Sequence, residues 1–153
     1  MDNQQVIATL NNLLAITKDG ERGFRTCAGG VTSPDLKMEL EAAARRCIES
    51  AVELQMKIRS LGGEPEASGT VAGALHRAWT DIAPRIAGLG DRALLDECKR
   101  GEDVAKQAYE EALVEDLPAD VEAIVRRQYQ GVTENHERIR ELRELAAHSK
   151  LAS

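Results

Sequence analysis

Apolar residues recur at intervals of three and four along almost the whole chain, and the recurrence breaks only at a few glycine- or proline-bearing points. That pattern restricts the chain to helices sharing one buried seam. The first helix is predicted from about Asn3 to Cys27 or Ala28. Val6, Leu10, Leu13, Leu14, Thr17, Glu21, Phe24 and Ala28 form its face, and Gly29-Gly30 is its stop. Ser33 offers an N-cap, Pro34 an N1 residue and Asp35 a first-turn acid. A second helix therefore starts there and continues to Leu61, where Gly62-Gly63 supplies a C-terminal signal. A third long helix is expected from Asp91, as its cap, to about Val114, with Leu94, Leu95, Cys98, Glu102, Ala105, Tyr109 and Ala112 inward. The fourth follows Pro118 and runs to about His148 on Val121, Val125, Gln128, Val132, His136, Ile139 and Leu142.

The connections constrain topology. Few residues separate the first two helices, so they must be antiparallel neighbours. Helix two is about 40 Å long at 1.5 Å per residue. The segment Gly62–Gly90 holds an extended stretch and a shorter amphipathic piece from Thr70 to about Ala87, which carries His76, Trp79 and Ile82 and is broken by Pro84 and Gly88. It is long enough to travel back along that length, leaving the third long helix parallel to the second. The expectation is one all-α domain over residues 1–153, a four-helix bundle with a long helical crossover between helices two and three. A five-helix up-down array is the competing arrangement.

Composition narrows the function classes. Hydrophobic residues make up 42% of the 153 but aromatics only 3%, so aliphatic side chains and Ala must fill the core. The net charge of −6, with Arg45-Arg46 and Arg126-Arg127 set among acids, gives no basic face for nucleic acid. No run approaches the roughly 20 apolar residues that span a bilayer. The first residues lack a basic stretch followed by an apolar one, so a cytoplasmic location is expected. Cys27, Cys47 and Cys98 lie in three different helices without a CxxC pair, which suits reduced thiols there.

Two inward positions are chemically costly. A carboxylate on a bundle's inner row costs several kcal/mol unless something pairs with it, and Glu21 and Glu102 both fall on such rows. A metal ion is one such partner. His136 is the only His on a long-helix row, so Glu21, Glu102 and His136 are the candidate metal ligands. Glu21 and Glu102 are expected to approach across the bundle, with Gln128 or Tyr109 within hydrogen-bonding distance and mutual repulsion raising one pKa. The plain alternatives are an Arg partner for Glu21, a hydrogen bond to Glu102 from Tyr109 or helix one, and a satisfied interior or edge role for His136. His76 and His148 are weaker candidates, and Cys47 and Cys98 read as small core residues. Neither a GxxxxGK[ST] loop nor a GxSxG elbow occurs, and no catalytic residue is assigned.

Several segments carry a resemblance. Val6-Ile7-Ala8-Thr9-Leu10-Asn11-Asn12-Leu13-Leu14 is similar to the opening of bacterioferritin-type helices, and Leu61-Gly62-Gly63-Glu64-Pro65 resembles the exit of their second helix. With Lys18-Asp19-Gly20-Glu21, His76-Arg77-Ala78-Trp79, Gly101-Glu102-Asp103 and His136-x-x-Ile139, the chain resembles a mostly proteobacterial ferritin-like four-helix-bundle family with no assigned function. That family is distantly similar to bacterioferritin- and rubrerythrin-type bundles. The resemblance implies a di-iron position built from one Glu on each of two helices and Glu-x-x-His on each of the others. By register, Thr17 stands at the helix-one Glu position, Cys47-x-x-Ser50 at the first Glu-x-x-His and Gln128-x-x-Gly131 at the second. A standard di-iron centre is therefore not expected. No cofactor is expected beyond a possible single divalent metal ion. The chain reads as a cytoplasmic structural or interaction protein with a degenerate metal site, forming a homo-oligomer, a dimer, without nucleic acid or membrane. The alternative is a metal-binding protein (iron, manganese or zinc) or oxidoreductase using an atypical carboxylate/His site.

Overall fold

The computed structural model describes residues 1–66 and 70–152, the side chains of 70–72, 74, 75 and 148–152 excepted. Among the described residues there are five α-helices and no strand: α1 Asn3–Gly30, α2 Pro34–Ser60, α3 Thr70–Ile82, α4 Asp91–Leu113 and α5 Ala119–Ala152, with a 3-10 turn Ala83–Gly88 after α3.

Local signals explain most helix ends. Asp2 and Gln5 form a capping box at the start of α1, each side chain accepting from the other's backbone amide at 2.8 Å. Ser33 caps α2 through the Leu36 amide, with Pro34 in the first turn. Gly62, at φ +83°, closes α2. Its amide reaches the Arg59 carbonyl and the Gly63 amide reaches Ile58, the paired bonds of a Schellman motif. Two expectations shift. Gly29-Gly30 stays inside α1, which ends against Val31. Gly90, not Asp91, is the N-cap of α4. The Asp91 carboxylate instead accepts from the Thr32 amide (2.7 Å), the Thr32 hydroxyl (3.0 Å) and the Ser33 amide (3.2 Å), clasping the α1–α2 loop.

Cross-helix bonds give the topology. The Asn3 side chain donates to the Leu61 carbonyl, so α1 and α2 are antiparallel. Thr9 meets Glu115 and Cys27 meets the Leu94 carbonyl, so α1 and α4 are antiparallel as well. Helices α2 and α4 therefore run parallel, as the length of Gly62–Gly90 predicts. The connection between them climbs the outer side of α1. Gly63 packs on Ile7, and buried Asn11 clasps the Glu64 carbonyl and Glu66 amide. Higher up His76 bonds Asp19, Trp79 covers Gly23 and Ile86 packs against Gly30. This cover buries α1 far beyond a single stripe: the run Leu13 to Thr17 is inaccessible throughout.

The core has two parts. One apolar cluster gathers Val6, Leu10, Leu54, Ile58, Ala112 and Val121 near the α1 N-terminus. Another gathers Phe24, Cys27, Leu40, Leu95, Cys98 and Ile139 near its C-terminus. Trp79 packs against both. Between them lies a polar layer.

Candidate functional site

The polar layer surrounds a cavity of about 400 Å³. The five positions that register assigns to a di-iron centre, Thr17, Cys47, Ser50, Gln128 and Gly131, all line it, and Glu102 joins them. Small residues make the room. An added Cβ at Gly131 would meet nothing within 4 Å, and Gly20 faces the Cys47 sulfur. At the closed side the Trp79 indole wedges between α1 and α4, where a Cβ on Gly23 would fall 2.1 Å, and one on Gly101 2.8 Å, from ring carbons. The opposite wall is the α2–α5 seam, bridged by the pairs Glu39–Arg138, Glu53–Arg127 and Lys57–Asp120 and by the bond from Arg46 to Asn135. Exposed Arg46, Glu49 and Arg127 form the rim there.

Two hydrogen-bond chains cross the layer. The Tyr109 hydroxyl donates to Gln128 Oε1 at 2.7 Å, and Gln128 Nε2 donates to Glu53 Oε1 at 2.8 Å and to the Ser50 carbonyl at 3.3 Å. Glu53 then pairs with Arg127. Burial alone would raise the Glu53 carboxyl, but bonds from Arg127 and Gln128 and the Arg127 charge carry it below the ordinary glutamate value. In the second chain Arg46 donates to Asn135 Oδ1 at 2.6 Å, and Asn135 Nδ2 donates to Glu102 Oε1 at 2.8 Å. Glu102 Oε2 is buried with no partner among the described residues, as is Trp79 Nε1. Burial pushes the Glu102 carboxyl up to about 7, against the lowering effect of Asn135 and Arg46 and with a small addition from Asp103. Burial, with Glu102 nearby, pushes the Cys47 thiol up to about 12, which keeps it protonated and unreactive. Cys98 is raised by its contact with Cys27 and by burial.

The three expected ligands are not gathered. Among the described residues no group of three His, Cys, Asp or Glu side chains is placed to hold an ion. Glu102 lies in the cavity wall. Glu21 does not; its carboxylate pairs with Arg25 at 2.6 Å, the plain alternative for that residue. His136 turns to Asp103, with Nε2 2.7 Å from Oδ1. That bond and one from Lys99 outweigh burial and lower the Asp103 carboxyl. The expected Glu21–Glu102 repulsion is therefore corrected: burial raises Glu102, while Tyr109 bonds Gln128 and Gln128 bonds Glu53. The side chain of His148 lies outside the described residues.

One physical reason covers both misplacements. Steps of three and four are both compatible with one helix face. From Thr17 the inward row steps to Gly20 and then Phe24, leaving Glu21 about 100° round the axis. On α5 it steps from Val132 to buried Asn135, leaving His136 at the edge. Asn135, Glu53, buried Asn11 and buried Asp19, which holds His76, are polar residues that row-reading missed. Asn135 stands one residue from the expected inward position His136, a signal that could have flagged it, whereas Asp19 stands two residues from both Thr17 and Glu21 and carried none.

A bundle in which α1 and α5 run one way and α2 and α4 the other, joined by one long crossover, is a ferritin-like bundle. The chain belongs to the family described as Domain of unknown function (DUF2383), which matches residues 5–115. Its structure is similar to that of a dodecameric thioferritin, the bacterioferritin-related protein from Bacteroides fragilis. The TM-score is 0.79 over 99% of this chain and 92% of that one, at 17% identity, a likeness of fold. No curated protein matches the chain. No helix among the described residues is long and apolar enough to cross a membrane.

Proposed function

We propose that this chain is a self-associating structural or interaction protein of the cytoplasm, whose mid-bundle position no longer builds a dinuclear metal centre. The observation that carries the reading is the donor set. None of the five residues at the di-iron register is a carboxylate or an imidazole, and Glu102 adds a single buried carboxylate beside them. Iron and manganese prefer carboxylate and imidazole donors, and Thr17, Ser50, Gln128 and Gly131 offer neither. The other two carboxylates of the lining are Glu53, which Arg127 and Gln128 already hold, and Glu49, exposed at the rim. A pair of metal ions does not fit these residues.

Self-association is supported by α2, whose outer face exposes Ile48, Val52 and Met56 at intervals of four, with Met38 further up the helix. Two copies meeting there would cover an apolar row that water otherwise contacts. The assembly of the B. fragilis protein is consistent with a fold that packs against itself.

A single ion is the second reading, favoured by the unpartnered Glu102 oxygen. Cys47 would tilt such a site toward zinc, and Glu21 and His136 would have to leave Arg25 and Asp103 to join it. Elemental analysis of protein purified without added metal or chelator separates the readings. We expect substoichiometric metal and no ferroxidase activity. Two iron ions per chain, lost on Glu102→Ala, would overturn the proposal and favour the metal-binding or oxidoreductase reading.

A further inference from the structure

We propose that the mid-bundle cavity is a binding site for a compact organic ammonium, a primary amine on an apolar body, with its nitrogen on Glu102 Oε2. The inference rests on the reading above to one extent: a dinuclear centre would fill the same space.

Size and walls come first. About 400 Å³ lies within the range of small-molecule sites. Ile16, Phe24, Ala105, Val132 and the Trp79 ring give the apolar surface for the body. The polar atoms decide the head group. Within the wall, Asn135 Nδ2 is spent on Glu102, Gln128 Nε2 on Glu53 and Ser50, the Tyr109 hydroxyl on Gln128 and the Thr17 hydroxyl on the Leu14 carbonyl. What remains among the buried atoms of the lining is one donor, the Trp79 indole Nε1–H, and one acceptor, the second carboxylate oxygen of Glu102, both without a partner among the described residues. A buried acceptor of that kind calls for a donor, and a charged donor satisfies it best. An anionic occupant would meet both Glu102 and Glu53. Arg46 and Arg127, which could attract one, are already engaged with Asn135 and Glu53 at the rim. Trp79 adds an aromatic wall of the type that favours cations.

The molecule carries its own reporter, because Trp79 is the only tryptophan. The full-length protein is titrated with benzylamine, benzyl alcohol and benzoate, with and without EDTA, following Trp79 fluorescence. Benzylamine should bind saturably and about tenfold or more tighter than benzyl alcohol, the difference of one charge-assisted bond; benzoate should not bind. Glu102→Gln should bring benzylamine down to the alcohol's affinity and leave the alcohol unchanged. Gly131→Leu, which grows into open space on a helix it should favour, should abolish binding of both. Benzylamine binding no tighter than benzyl alcohol, unaffected by Glu102→Gln, or absent altogether would overturn the proposal. Benzylamine that binds only after EDTA, to a protein purified with two metal ions, would sink the metal-free reading and leave the amine site standing. A metal-free protein that ignores benzylamine would do the reverse.

Discussion

Glu102 is a buried carboxylate in the middle of the polar layer with one oxygen unpartnered among the described residues, and that has a measurable sign. Its carboxyl is raised from 4.5 to about 7. Below pH 4.5 folded and unfolded chains both hold the proton, and the residue contributes no pH dependence. Between these values the folded state keeps a proton that the unfolded state has lost, so stability falls as pH rises, and above 7 the folded state holds a buried charge. The whole swing is roughly 3 kcal/mol. Glu102→Gln should therefore unfold at higher denaturant than the parent at pH 8, with the gap shrinking toward zero near pH 4; a gap independent of pH would contradict this assignment. At this scale the sequence was readable only in part. Glu102 stands on an unambiguous row between Cys98 and Tyr109, and it is buried as expected. Glu21 and His136 stood where three- and four-residue steps compete, and in both cases a neighbour, Gly20 or Asn135, took the inward place.

Helix boundaries and their partners show a different division. The Ser33-Pro34 start and the Gly62 exit were legible because their chemistry is local. Asp91 was not: its carboxylate serves a loop 58 residues away in sequence, between α1 and α2, and a distant partner leaves no local pattern. The same holds for the crossover. Its amphipathic stretch was visible, but nothing in its own residues says that Trp79 inserts between Gly23 and Gly101. The two glycines are the other half of that contact. Replacing Gly23 by Ala would gain helix propensity on its own, yet the added carbon lands inside the indole. We expect Gly23→Ala to destabilise by about 1–3 kcal/mol and to shift the Trp79 emission maximum to the red as the ring is displaced. An unchanged emission spectrum would mean that the wedge is not where the contacts put it.

For the whole molecule, chain length between helices settled the topology. A connection long enough to run back beside α1 left α2 and α4 parallel, and a short one could not have done so. Association was less visible, because an exposed methionine or valine is common on any surface; the spacing of Ile48, Val52 and Met56 gains meaning only with the rest of α2 in place. A copy paired through this face should be separable by one charge. Val52→Asp is expected to reduce the particle mass measured by light scattering to that of one chain, with helical content retained. An assembly unchanged in mass would move the contact elsewhere on the surface.

The divided core bears on how the bundle breathes. Helices ordinarily fray at their tips and hold firm at the centre. Here each long helix is anchored by oil at both ends and by a few polar bonds around empty space at its middle. The weakest span should then be the waist. Amides beside Gly20, Ser50, Gly101 and Gly131 should exchange with deuterium sooner than those flanking Leu10 or Leu40, opening the seam between α2 and α5 as a door rather than peeling the bundle from its ends.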